Sequence, residues 1–557
     1  MKVFIKSGQV TLDKNNYLTA GGEGDIYVKN GKAFKIYHDP AKMIPDGKIF
    51  ELSQISLNNV ISPLEVIKDG QGRSIGFVMN ALKKTEFLVK LFAKGFRDAN
   101  GITPNTTAAL VKRMQDTCGI IHKMNCLLVD ANEFNFLISQ DFKEIFFIDT
   151  DSYQTPSFPA TALMESVRDR KVKNNQFTIG SDWFSIGVTM FQLYVGMHPY
   201  KARHPNYKLK DWMKMMDDNV SVFNPQSKLS PLALPLTVIP KGHLKWFEAV
   251  FEHGERKPPP QPEQVDFTAA IPQPRIITGN DDFDISIHRT YDAQIVVVRY
   301  IAGVCYVLTR KALYADQKKI ANIFHVAGYK KDIIPVQGGE YCLSEFNIAK
   351  DELRLSTIHE NIGTFQSTGY FIHGDNFYFV CNNSLIHGQI VKVMGKLKLL
   401  QTIAYELHPN HTIYDGVIIQ NILGTYRATI PYEGGKCALL NLQELQGHRV
   451  FAAKYQSGKL IILSENGGKV YWNVFVTKDH VTYSFRQEPN VNIREIDFTV
   501  KDNGVCIAQG DSGLELFVDN QTVKKVASPL AGDELLFNFC NTIYFSKFDK
   551  IYKIQSK

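Results

Sequence analysis

Residues 120–154 read IIHKMNCLLVDANEFNFLISQDFKEIFFIDTDSYQ. The run opens as the end of a helix, passes through a turn and continues as a buried strand in FNFLIS. A second strand, EIFFI, then ends in Asp149-Thr150-Asp151. Three oxygen-bearing side chains, Asp130, Asn135 and Asp149, thus stand on turns beside apolar segments. Singly, Asp130 and Asn135 read as loop caps and Asp149 as a strand-end turn residue. As an ordered set they ask for a common chemistry, so the neighbouring segments have to be read with them.

Upstream, residues 20–39 read AGGEGDIYVKNGKAFKIYHD. Asn-Gly between alternating runs is a strong short-range hairpin signal, and Asn30-Gly31 joins a strand at 25–29 to another at 32–37. The glycines Gly21, Gly22 and Gly24 therefore precede a strand. A dinucleotide-binding glycine turn needs a helix there, so that reading fails. Downstream, residues 177–200, FTIGSDWFSIGVTMFQLYVGMHPY, carry apolar residues all round a helix from Trp183 through Phe191 to Leu193. Such a helix belongs in a core.

Together these segments resemble the protein-kinase superfamily. A glycine loop followed by a hairpin bearing Ala33-Phe34-Lys35 is similar to a kinase nucleotide lid. Asp130 followed five residues later by Asn135 is similar to the kinase catalytic loop, and Asp149 stands where a kinase has Asp-Phe-Gly. The run IDTDSYQ with Asp130-Ala131-Asn132 resembles an atypical bacterial and phage branch marked by Asp-Thr-Asp-Ser-(Phe/Tyr)-Gln. The resemblance covers residues 1–262, a little under half the chain. It implies ATP as donor, Mg²⁺ as cofactor and Ser/Thr hydroxyls as acceptors. It further implies that Asp130, Lys35 and Asn132 are catalytic and that Asn135 and Asp149 hold the metal. Gly21, Gly22, Gly24, Ala33, Lys35, Glu51, Met79 and Ala81 would then bind the nucleotide, with Glu51 pairing with Lys35. Asp182 would accept bonds from the catalytic-loop backbone. Ala162-Leu163-Met164-Glu165 would stand for Ala-Pro-Glu, with Arg256 the partner of Glu165.

The chain departs from that pattern at several points. Thr19 replaces the first loop glycine, Leu128-Val129 replaces His-Arg before the catalytic Asp, and Asn132 replaces a Lys. Without that Arg, no cation waits for a phosphorylated loop. Transfer is therefore expected to be constitutive with respect to Ser152, Tyr153, Thr155 and Ser157.

The character of the sequence changes once. KPPPQPEQVDFTAAIPQPR, residues 257–275, carries six prolines and reads as a semi-rigid linker. Beyond it, short alternating runs divided by Gly, Asn and Asp recur at a spacing of about 30–47 residues, which brackets the ~40–50-residue period of propeller blades. Turns are expected at Asn466-Gly467 and at Asp511 to Gly513. The expected architecture is an α+β bilobal kinase-like domain over 1–257 (lobes 1–80 and 81–257), a linker over 258–275, and an all-β domain over 276–557. That last domain is expected to be a six- or seven-bladed β-propeller, with a β-sandwich pair as the alternative, and to unfold separately from the first.

The 557 residues are 44% hydrophobic and 21% charged, with a formal net charge of +7. This excludes a disordered or fibrous chain, and so mild a charge gives no argument for nucleic acid. No run reaches the ~20 apolar residues of a membrane span. Eight scattered cysteines with no CxxC pair read as reduced, mostly core thiols. The expected location is the cytoplasm or a phage particle. The expected function is Ser/Thr protein phosphorylation, with a substrate or docking partner held by the β-domain. A nucleotide-binding pseudokinase scaffold and a small-molecule kinase are the alternatives.

Overall fold

The computed structural model describes residues 1–230, 233–260, 282–323, 328–432, 435–511, 513–526, 530 and 534–557. Most of the expected linker, 261–275, lies outside them, as does residue 512 in the expected 511–513 turn. The first eighty residues form a seven-stranded antiparallel sheet. Its order is Gly8–Thr11, Lys2–Ile5, Glu65–Lys68, Ser74–Asn80, Lys32–Tyr37, Gly24–Lys29 and Tyr17–Ala20. The 24–37 hairpin forms as read: Asn30 (φ 50°) and Gly31 (φ 75°) both take the left-handed conformation that a two-residue hairpin turn requires. Gly24 has a different reason to be glycine. A Cβ there would run into the Ile36 carbonyl of the neighbouring strand.

A short helix, Asp46–Ser53, crosses from this sheet toward a helical region. The helices Pro104–Lys123, Ile179–Val195 and Lys241–Phe251 make up the centre of that region. The second is buried from Ser181 to Val195, as its apolar circumference requires. Thr178 starts it with a capping box to Ser181, and Gly196 ends it. Each of its buried Phe, Leu, Ile and Val side chains contributes roughly 1.5–3 kcal/mol by leaving water. The packing leaves no spare room: a Cβ on Gly187 would meet the Trp246 ring at 2.9 Å.

The remainder is β. Seven four-stranded antiparallel sheets follow one another among the described residues. Six are built from consecutive strands, starting at Ile295, Tyr329, Gly369, His411, Arg449 and Phe498. The seventh joins the two ends of the segment, because Phe283–Thr290 pairs with Lys550–Ser556. Asn466-Gly467 turns between the strands Lys459–Asn466 and Lys469–Thr477. Among the described residues no helix is long and apolar enough to cross a membrane.

The two halves share packing. One continuous cluster of buried apolar side chains runs from Phe136, Ile186 and Phe191 to Phe451, Trp472, Phe498 and Phe517. The Phe134 and Phe451 rings lie 6.0 Å apart across the seam. Glu495 presses on the helix Lys94–Ala99, where a Cβ on Gly95 would strike its carboxylate.

Burial, then Asp497, pushes the Glu495 carboxyl up to about 7. Burial pushes Asp497 up to about 6, against the charge of Lys454 and the N–H of Leu536. Carboxyls raised in this way hold more protons folded than unfolded. Their contribution is therefore complete below about pH 4 and is lost as the pH rises to about 7. Urea unfolding should give a stability lower by about 2–3 kcal/mol at pH 8 than at pH 5. Glu495→Gln should flatten that slope, and an unchanged slope in this variant would show that Glu495 is not responsible.

Candidate active site

Lys35 sits inside the strand Lys32–Tyr37, 7% exposed, and its charge is met by three carboxylates. Its Nζ lies 2.5 Å from Asp151 Oδ2, 3.3 Å from Asp149 Oδ1 and 3.5 Å from Glu23 Oε2. Burial alone would lower the ammonium, but Asp151 and Asp149 outweigh it and hold Lys35 well above its ordinary value. The hydroxyl of Tyr37 also donates to Asp151, at 2.7 Å. The glycine loop folds beside this cluster. The Gly21 N–H donates to the Gly24 carbonyl, and open space lies around Gly22.

The 128–135 loop is held from below by one face of the helix Ile179–Val195. Asp182, Ser185 and Thr189 stand on that face at helical spacing. Asp182 accepts from the Leu128 N–H at 3.0 Å, the Val129 N–H at 2.7 Å and His122 Nε2 at 2.7 Å. Ser185 Oγ accepts from the Ala131 N–H and donates to the Val129 carbonyl, and Thr189 donates to the Ala131 carbonyl. Val129 takes φ 62°, a costly region for a β-branched residue. Its surroundings fix it there, because both of its backbone polar groups are bonded to this helix.

Asp130 and Asn135 come together at the mouth of that loop. The Asn135 Nδ2 donates to the Asp130 carbonyl at 2.9 Å and stands 3.5 Å from its carboxylate. The Asn135 carbonyl in turn accepts from the Ile148 N–H, which brings Asp149 alongside. Burial raises the Asp130 carboxyl above its ordinary range, whereas Lys35 holds Asp149 below it. The two carboxyls are thus set apart in basicity, as a proton acceptor and a charged ligand would need. Asn135 commits its amide N–H to the loop, which leaves its Oδ1 for a ligand. With the Asp149 carboxylate it makes a pair of hard oxygen donors of the kind Mg²⁺ takes. These residues fit a Mg²⁺–phosphate group.

Other expected residues fall elsewhere. Glu51 does not reach Lys35. It accepts from the Ser157 N–H at 3.2 Å, and the residues its helix buries are Ile49, Leu52 and Lys48, the last donating to the Pro159 carbonyl at 2.9 Å. Lys35 takes Asp151 instead, a nearer acid that is itself buried. Asn132 turns its Oδ1 back to the Phe134 N–H at 2.9 Å and starts a short helical turn. Met79 lies directly opposite Ala33 in the sheet, but the Ala81 N–H donates to the Gly31 carbonyl. Arg256 binds Asp169 through both Nε and Nη2, at 2.6 Å each, while exposed Glu165 pairs with Arg168 and Arg170. The buried acid was the one able to hold a bidentate guanidinium. Sequence reasoning missed Asp169 and the role of Asp151. The repeated acid in Asp149-Thr150-Asp151 was the available signal for the latter.

This chain is similar over part of its length to a known viral protein. Over 190 residues, 32% of this chain and 69% of the other, it is 22% identical to Serine/threonine-protein kinase 1 of Heliothis zea nuclear polyhedrosis virus. A viral protein kinase is thus a distant relative. The similarity is weak and partial, and it suggests a protein-kinase-like relationship. No protein-family model matches.

Proposed function

We propose that residues 1–257 are a bilobal protein-kinase-like domain that moves the γ-phosphoryl group of ATP to a Ser or Thr hydroxyl of a protein. One observation carries this reading. Lys35, Asp130, Asn135 and Asp149, spread over more than a hundred residues, belong to one linked cluster. A bound Mg²⁺ would supply charge neutralisation on the phosphates, with Asn135 and Asp149 to hold it. Lys35 presents a positive charge to the donor phosphates. Asp130 orients the acceptor hydroxyl and takes its proton as the new O–P bond forms. The bond from phosphorus to the bridging oxygen breaks, and its electron pair leaves on ADP.

The seven sheets of the second half are read as blades of a β-propeller, closed by the pairing of Phe283–Thr290 with Lys550–Ser556. In this reading residues 276–557 recruit the substrate or dock the enzyme, and 258–275 connect the two domains. The location is proposed to be the cytoplasm or a phage particle.

A nucleotide-binding scaffold is the second reading. It is favoured by the Met164 N–H, which donates to Asp130 Oδ1 at 2.9 Å and so engages one oxygen of the proposed base. The deciding experiment incubates the full chain with radiolabelled ATP, Mg²⁺ and a general protein acceptor, beside Asp130→Ala. Labelled phosphoserine or phosphothreonine that is lost in the variant supports the kinase. Nucleotide binding without label in either protein would favour the scaffold instead, and label on a small-molecule acceptor alone would favour a small-molecule kinase.

A further inference from the structure

The catalytic loop carries no cation of its own, since Val129 precedes Asp130. Around the site stand Glu23, Asp130, Asp149 and Asp151, while Lys35 is already engaged by three of them. A polyphosphate entering such a site needs further positive charge. The second half of the chain brings one. Arg449 opens the strand Arg449–Gln456, directly opposite Glu465 on the next strand. Its Nε donates to Glu465 Oε2 at 2.9 Å, and that carboxylate is buried. The guanidinium carbon lies 6.0 Å from the centre of the Phe134 ring, on the loop between Asn132 and Asn135. Phe451, from the same strand, packs on that ring as well. The same carboxylate, through Oε1, accepts from the Gly468 N–H at 2.8 Å. Gly468 abuts Met164, whose N–H bonds Asp130. One sheet thus touches the catalytic loop at Phe134 and also packs on Met164, the residue bonded to Asp130.

The Arg449 guanidinium lies against Phe134 of the loop that carries Asp130 and Asn135. Its side chain is 31% exposed, and its two terminal nitrogens have no hydrogen-bond partner among the described residues. A planar guanidinium with free paired donors suits phosphate oxygens better than an ammonium does.

Resting on the kinase reading above, we propose that Arg449 is a phosphate-binding residue of the active site, delivered by the β-half, which donates to the non-bridging oxygens of the γ-phosphoryl group. During transfer the acceptor oxygen bonds phosphorus, the bond to the ADP oxygen breaks, and the hydroxyl proton passes to Asp130. Arg449 stays on the moving group throughout. The β-half is then part of the enzyme as well as a recruiting surface.

The test is calorimetric titration of the full chain and of its Arg449→Ala and Arg449→Lys variants with Mg-ATP and Mg-ADP, with single-turnover transfer and thermal melting alongside. Arg449→Ala should weaken ATP binding about tenfold or more, leave ADP within about twofold, and slow transfer by about 10²–10³-fold. Arg449→Lys should restore part of the ATP preference, because it returns charge without the planar fork. Wild type binding both nucleotides with ATP affinity unchanged in Arg449→Ala would overturn the assignment while leaving the kinase reading intact. Equal weakening of ATP and ADP, with a lowered melting temperature and no rescue by Lys, would make Arg449 a structural residue and also overturn it. A wild-type chain that binds neither nucleotide would remove the kinase reading and this proposal with it.

Discussion

Asp149→Asn should slow phosphoryl transfer by about 10²–10³-fold, the usual cost of removing one preorganised electrostatic contact to the transition state. The carboxylate is held charged by Lys35, 3.3 Å away, so it stands ready as an anionic ligand without a proton to lose. The amide keeps the shape and loses the charge. Stability should change by no more than about 1 kcal/mol, since the Asp149 side chain is 43% exposed and Lys35 keeps Asp151. Quench-flow rates with labelled ATP, paired with urea midpoints, measure both quantities. A transfer rate equal to wild type would remove Asp149 from the metal-holding pair.

The second large effect is on stability. Asp182→Ala should cost about 3–5 kcal/mol, because it leaves two loop N–H groups and His122 without an acceptor inside the core. The strained Val129 would then be held only through the Ser185 bond to its carbonyl, and Asp130 would be less firmly placed. Asp182→Asn keeps an acceptor oxygen and should cost clearly less. Urea unfolding of the three proteins, followed by far-ultraviolet circular dichroism, measures the difference. A loss under about 1 kcal/mol in the Ala variant would mean that the loop is held by Ser185 and Thr189 without it.

Some of this molecule was written locally. Asn30-Gly31 makes a hairpin because only residues that tolerate positive φ close a two-residue turn with the right twist, and that is decided within a few bonds. The helix Ile179–Val195 is buried because it is apolar on every side, which periodicity alone reveals. The order Lys35, Asp130, Asn135, Asp149 was legible through its resemblance to the kinase pattern, with Lys35 on a strand of the hairpin and the other three at the ends of segments that announce themselves. The Pro-rich change of character and the recurring short strands marked where the second half begins.

Partner choice was not local. Glu51 and Glu165 were the partners the kinase resemblance implied, yet Lys35 took Asp151 and Arg256 took Asp169. The acids chosen are the buried ones, since a charge removed from water must find its counter-charge in the same dry volume. Which acid is buried depends on how distant segments stack, and spacing along the chain carries no information about that. The fourth strand of the last sheet came from the pairing of Phe283–Thr290 with Lys550–Ser556, a contact between opposite ends of the segment. Arg449 is the extreme case. It lies more than three hundred residues from Asp130, on a strand with no catalytic signature, and only the packing of Phe451 on Phe134 brings it to the site. Sequence fixes the geometry of turns, helices and strands through backbone sterics and periodicity. Burial, which decides the ion pairs and what faces the site, arises only once the chain has closed on itself.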